Sequence, residues 1–152
     1  FLRPGWFMEN AVWDIAPAVE NGVVPSFLQP LDKPVPMIAT ADVGRVGAEL
    51  LQEQWEGLRI VELESVQRVT PNQIAASLSQ LLGKPVTMSV VPREDWSGLF
   101  TAQGARNPQP RMQMIDGFNE GWIEFSGTPR KGLVVLETVL CELVRRAGAC
   151  DR

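Results

Sequence analysis

Apolar residues recur along the chain at two periods, and they divide it into alternating helices and strands. Met8, Ala11, Val12, Ile15 and Val19 follow helical spacing and predict a helix from Met8 to Glu20, ended by Asn21-Gly22. Pro17 lies within it and is expected to kink or shorten it. The proline-rich stretch from Val23 to Pro36 reads as short extended pieces around a turn at Leu31-Asp32-Lys33, and Val35 to Ala39 as a short strand. Thr40 is the expected cap of a helix running from Ala41 to Glu53, with Val43, Val46, Leu50 and Leu51 as its apolar stripe. Leu58, Ile60, Val61 and Leu63 alternate incompletely, as in a strand covered on both faces. Thr70-Pro71 is a strong helix start, Ile74, Ala75, Leu78, Leu81 and Leu82 are the buried face, and Gly83 the stop. Val86 to Val91 is the next strand. Leu58 to Val91 therefore spells strand, helix, strand, the outline of a βαβ unit with a parallel pair.

The rest reads as helical. Helices are expected from Glu94 to Gln103, from Arg111 to Phe125 (weakened by Gly117 and Gly121) and from Val135 to Ala147. The predicted class is α/β: an incomplete Rossmann-like fold in one domain, with a short, mainly parallel sheet and a helical C-terminal part. Phe1-Leu2 reads as the end of a strand cut open, so the chain is expected to be a fragment or to lack its beginning.

Composition narrows the chemistry. Hydrophobic residues make up 45% and charged residues 21%, as in an ordinary soluble domain. The net charge of −4 gives no drive toward phosphate backbones, so nucleic acid is not an expected partner. With no His, no Ser-His-Asp triad, Cys-His pair or HExxH zinc site can form, and with no Tyr there is no Tyr-Lys proton donor. Cys141 and Cys150 lack metal-site spacing; Cys141 is expected to be buried and Cys150 to lie in a frayed terminus. The longest apolar stretch, Leu133 to Val144, carries Glu137 and Glu142 and is too short to span a membrane. With no signal peptide visible, the expected compartment is the cytoplasm.

No motif supplies a phosphate loop. Gly44-Arg45-Val46-Gly47 opens a helix after a strand, but Asp42 stands where the fingerprint needs an earlier Gly, and its charge would repel phosphate. Gly44 and Gly47 are instead expected to let the helix approach a neighbour closely. Gly127 to Gly132 has a P-loop outline without the following Lys-Ser/Thr. Glu62, Glu64, Glu94 and Asp95 form no catalytic pair and read as structural charges, so no catalytic residue and no metal ligand is assigned. Trp6, Phe7, Trp13, Trp96, Phe100, Phe118 and Trp122, with Met8, Met112 and Met114, are mostly core by spacing, yet the inventory suits an apolar pocket.

The segment Leu2-Arg3-Pro4-Gly5-Trp6-Phe7-Met8-Glu9-Asn10 resembles the RPxxFMEN stretch of NmrA-like proteins, a branch of the atypical short-chain dehydrogenase/reductase superfamily. Pro36-Met37-Ile38-Ala39-Thr40-Ala41-Asp42-Val43-Gly44 is similar to that family's next helix start. Val61-Glu62-Leu63, Thr70-Pro71-Asn72-Gln73-Ile74-Ala75, Gly83-Lys84-Pro85-Val86, Val91-Pro92 and Trp96 continue the match in order. Val134-Val135 depart from it, since a polar cap and Pro are expected before the Leu136-Glu137 helix.

The resemblance implies the C-terminal, substrate-binding half of an NAD(P)-dependent reductase or redox-sensing regulator, with no counterpart here of the Rossmann half that carries the Gly-rich loop. It places Pro4, Gly5 and Phe7 at the reactive end of the cofactor and Glu9 and Asn10 on the substrate side. Together with the aromatic inventory, Trp6, Met8, Trp96, Phe100 and Phe118 complete the expected substrate contacts. The complete family member would hold NAD(P); this chain alone is expected to bind none and to catalyse no hydride transfer. The alternative is a non-enzymatic oligomeric module for small-molecule binding or protein interaction. A half-sheet with a bare edge favours a homodimer, and a small apolar or aromatic ligand is the expected guest. A third reading, an independent enzyme working with carboxylates alone, has no acid–base constellation behind it.

Overall fold

A computed structural model describes residues 1–149. Cys150 lies outside the described residues. The elements in order are β1 (Leu2–Pro4), β2 (Trp6–Phe7), a 3-10 turn (Met8–Ala11), α1 (Val12–Glu20), β3 (Val23–Ser26), β4 (Met37–Ile38), α2 (Thr40–Gln52), β5 (Val61–Glu64) and α3 (Pro71–Leu82). Then follow β6 (Thr87–Val90), a 3-10 turn (Arg93–Asp95), α4 (Trp96–Ala102), α5 (Gln109–Glu120), β7 (Arg130–Lys131) and α6 (Leu136–Arg146). The class is α/β, and every paired strand runs parallel to its neighbour.

The strands form three small sheets, β1-β5-β7, β2-β4 and β3-β6. Leu2 lies opposite Val61, Trp6 opposite Met37, and Val23 opposite Thr87. The strand, helix, strand succession over Leu58 to Val91 is present, but its two strands do not pair with each other. Both sides of β5 are taken, by β1 and β7. β6 instead joins β3, because Gly22, at φ +69°, turns the chain after α1 so that its carbonyl accepts the Thr87 amide at 2.9 Å.

One close approach divides the first strand. The Gly5 amide donates to the Leu63 carbonyl at 2.9 Å, and the next amide, Trp6, donates to the Pro36 carbonyl at 2.8 Å. The chain thus passes from β5 to β4 within one residue. A Cβ on Gly5 would stand 2.4 Å from the Pro36 carbonyl oxygen. Only glycine permits this switch.

The segment between α5 and α6 is fastened by buried carboxylates. Glu62 accepts the Ser126 amide at 3.0 Å and the Gly127 amide at 2.9 Å. Glu64 pairs with Lys131 at 2.6 Å and Arg68 at 3.0 Å. Asp42 accepts the Leu133 and Val134 amides, both at 2.8 Å, while Arg45 stands 2.9 Å from its other oxygen. Those amide bonds steady the entry to α6, whose first-turn side of the chain, Val135, supplies no cap of its own. Buried charge is costly unless it is paired or hydrogen-bonded; Glu64 and Asp42 have cationic partners, and Glu62 is held by two amides.

Several expected details change. α1 begins at Val12 after a 3-10 turn and continues past Pro17 to Glu20. Leu58 and Ile60 are exposed and precede β5. Thr40 is the first residue of α2 and not its cap; Glu9 caps it from outside, accepting the Thr40 amide at 2.9 Å and donated to by its hydroxyl at 2.7 Å. Gly44 and Gly47 approach nothing, since an added Cβ at either meets no atom within 4 Å. Gly121, at φ +87°, ends α5 before Phe125. Cys141 is exposed, being on the outer side of α6 while Leu136, Val139, Leu140, Leu143 and Val144 face inward.

The Thr70 capping box forms as expected. The Gln73 amide donates to Thr70 Oγ1 at 3.1 Å and the Thr70 amide to Gln73 Oε1 at 2.8 Å. The main core joins Met8, Ile15, Val24, Leu78, Trp96, Phe100, Ile115 and Leu140. Among the described residues, no helix is long and apolar enough to cross a membrane.

Gly5→Ala is expected to cost roughly 3 kcal/mol or more in urea unfolding, because the backbone it meets cannot yield. Gly44→Ala, in open space on a helix, should gain about 0.5–1 kcal/mol. Equal effects from the two substitutions would contradict the assigned role of Gly5.

Candidate functional site

The switch at Gly5 delivers Trp6, Phe7 and Met8 to the wall of a cleft of about 470 Å³. That size suits a small organic molecule. The wall continues through Asn10, Ala11, Trp13, Asp14 and Pro17 on the turn and α1. Pro25, Ser26, Phe27 and Leu28 enter from the end of β3, and Met37 and Met88 from β4 and β6. Pro71 and Ile74 of α3, Leu99 and Gln103 from α4 and its end, and Arg111, Met114 and Ile115 of α5 close the far side. The lining is mostly apolar, and its methionines are side chains that adapt to a guest.

Aromatic packing stiffens the wall from behind. Phe118 meets Trp6 edge to face, centroids 5.6 Å apart. Trp96 and Phe100 are fully buried and pack on Phe27 at 5.7 and 4.8 Å. Trp96 Nε1 donates to the Val91 carbonyl at 2.9 Å, so its polar edge is satisfied. Asn119 holds the Phe27 segment from both sides. Its Nδ2 donates to the Phe27 carbonyl at 2.8 Å and its Oδ1 accepts the Gln29 amide at 2.9 Å. Arg93 grips Asp116 with two bonds of 2.7 Å and lies 4.7 Å above Trp96, tying the start of α4 to α5.

The expected site residues are thus divided. Trp6, Phe7, Met8 and Asn10 line the cleft together. Trp96, Phe100 and Phe118 stand behind the lining and shape it. Glu9 turns away to cap α2, with Oε2 buried and unpartnered. Pro4 sits in the sheet opposite Leu63, and Gly5 is packed against Pro36.

Two charged residues in the lining were not singled out by sequence reasoning. Asp14 is half-buried among apolar side chains, and among the described residues no ion pair or hydrogen bond reaches its carboxyl. Burial pushes its pKa up to about 7. Arg111 lies 4.2 Å above the Phe100 ring, makes no ion pair among the described residues, and its pKa is lowered by desolvation. The signal available for Asp14 was its place four residues after Asn10, one turn along the same face of the helix expected from Met8 to Glu20. Among the described residues, no group of three His, Cys, Asp or Glu side chains gathers as a metal site.

No family model matches the sequence, and no curated protein matches it. Solved structures do. An NADPH-dependent quinone oxidoreductase from Escherichia coli, complexed with NADPH, superimposes with a TM-score of 0.71 at 22% identity, over 91% of this chain and 51% of that one. The Citrobacter triphenylmethane reductase complexed with NADP(H) gives 0.66 at 20% identity, over 95% and 51%. L-threonine dehydrogenase from Phytophthora infestans gives 0.60 at 15%, over 97% and 47%. Likeness at this identity establishes the fold, a partial Rossmann-like unit. The chain spans about half the length of the structures it matches.

The folded carboxyl of Asp14 has a pKa above its ordinary 3.8, so folding takes up a proton and stability falls as pH rises from 3.8 to about 7. Asp14→Asn should flatten that slope and be more stable than the parent at about pH 8 by on the order of 2 kcal/mol. Urea unfolding at several pH values reads this directly; parallel pH profiles for the two proteins would refute it.

Proposed function

We propose that this chain is the ligand-binding half of an NmrA-like, NAD(P)-dependent reductase or redox-sensing regulator, and that its cleft takes a flat, apolar aromatic molecule. The carrying observation is the aromatic and methionine lining formed by Trp6, Trp13, Phe27, Met37, Met88 and Met114 where β2 and β3 end. Ligands of open α/β sheets bind beyond the carboxyl ends of parallel strands. Two of the similar proteins act, by name, on a quinone and on triphenylmethane dyes, both built from conjugated six-membered carbon rings. Phe7, exposed at the rim of the cleft, with Pro4 at the end of β1 and Gly5 at the break before β2, would face the nicotinamide in the complete protein.

The dinucleotide itself would be held elsewhere. Gly44-x-x-Gly47 lies inside α2 and offers no phosphate site, and Asp42 beside it already accepts the Leu133 and Val134 amides. Trp fluorescence titration with a naphthoquinone should saturate with a Kd of about 10–100 μM, and Trp6→Ala should weaken it about tenfold. Calorimetry on the same chain should show no micromolar NADPH binding. An unquenched titration would sink the aromatic reading, and a micromolar NADPH isotherm the assignment of the dinucleotide to the other half.

One observation favours self-association beside this reading. Phe1, Leu51 and Trp55 are exposed around an apolar groove of about 330 Å³ next to the outer edge of β1. A second copy covering that flank would remove apolar surface from water and protect a bare strand edge. Sedimentation equilibrium should then show a dimer that Leu51→Glu dissociates. A folded monomer at all concentrations would refute it.

A further inference from the structure

We propose that Asp14 is the orienting group of the cleft, donating a hydrogen bond from its carboxyl to a carbonyl oxygen on the aromatic ligand, so that the site selects uncharged aromatic ketones or quinones over hydrocarbons and over cations. The proposal rests on the aromatic-ligand reading above.

The contrast among carboxylates carries it. Asp42, Glu62 and Glu64 are buried and each is held by amides or cations. Asp116, Glu124 and Glu142 are held by arginines. Among the described residues, Asp14 is the carboxylate set into an apolar cavity with no partner. A desolvated carboxyl without a counter-charge keeps its proton, and a protonated carboxyl is a donor. Its raised pKa agrees, keeping the O–H present up to about neutral pH.

The surroundings decide which guest it meets. Arg111 is the other charged side chain lining the cleft, and it disfavours a cation there. Among the described residues, no other side chain packed against α1 supplies a charge for Asp14. β3 carries no titratable residue. Glu9 in the preceding turn is bonded to Thr40. On α6, Glu142 pairs with Arg145 and Arg146, and Glu137 accepts from Ser77. At the far end of α1, Lys84 donates to the Val19 carbonyl and Glu20 is exposed. Ser26, Asn10 and Gln103 complete the polar lining and are neutral.

A matched probe pair tests this without any redox step: 2-acetylnaphthalene and 2-ethylnaphthalene, nearly equal in size, titrated by Trp fluorescence. A naphthylmethyl-trimethylammonium ion is the cationic arm. At about pH 5.5 the ketone should bind roughly tenfold tighter than the hydrocarbon, the worth of one hydrogen bond in a dry site. That preference should decline through neutral pH and be gone at about pH 8.5, as the carboxyl loses its proton. Asp14→Asn, whose amide still donates, should keep the preference at both pH values. Asp14→Leu should abolish it while the hydrocarbon still binds. If both naphthalenes bind equally to the parent chain, the role of Asp14 fails while the aromatic cleft stands. If neither binds, the cleft reading fails with it. Tighter binding of the ammonium ion as pH rises would overturn the proposal in favour of a cation site.

Discussion

The contact between Gly5 and the Pro36 carbonyl is the constraint from which the cleft follows. With its amide given to Leu63, Gly5 closes the pairing of β1 with β5; Trp6, giving its amide to Pro36, opens the pairing of β2 with β4. A strand that continued straight along β5 would carry Trp6, Phe7 and Met8 elsewhere. The break instead turns them to the cavity, and the 3-10 turn that follows sets Asn10 and Asp14 on the same wall. The glycine resembles a cofactor contact in sequence, yet a backbone need is sufficient to explain it.

The acidic residues fall into two physical groups, and the division separates structure from function. Asp42, Glu62 and Glu64 replace water with amides and cations and fasten the segment from Ser126 to Val134, which carries β7 into the sheet and leads into α6. Their charge is used up. Asp14 has no such partner among the described residues, and its burial is tolerable because the group can remain protonated.

Much of the fold was legible because the periodic signals were local. The Thr70 cap, the Gly83 stop and the inward face of α6 follow from residues within a turn or two of each other. Strand partners were not legible. Nothing local in Val86 to Val91 reveals that Gly22, far earlier, will place β3 beside it. The cap of α2 was misread for the same reason, since Thr40 looked sufficient while Glu9 supplied the acceptor from another segment. In the site, Trp6, Phe7, Met8 and Asn10 were readable as a contiguous motif. Phe27, Met37, Met88 and Arg111 come from separate elements and meet only in the folded chain. Trp96, Phe100 and Phe118 were marked as ligand contacts by residue type, and burial has made them the support behind the wall.

The central claim is that an aromatic guest occupies the cleft between α1, α4 and α5. The tryptophans provide built-in reporters: Trp6 and Trp13 line it, Trp96 is sealed in the core, and Trp55 and Trp122 are exposed elsewhere. Indole resonances of the nitrogen-15-labelled chain, followed during titration with 2-acetylnaphthalene, test it most directly. The account predicts saturable shifts at Trp6 and Trp13 with Trp55 and Trp122 unmoved. Shifts confined to Trp55 or Trp122, or none at Trp6 and Trp13 at saturation, would contradict it.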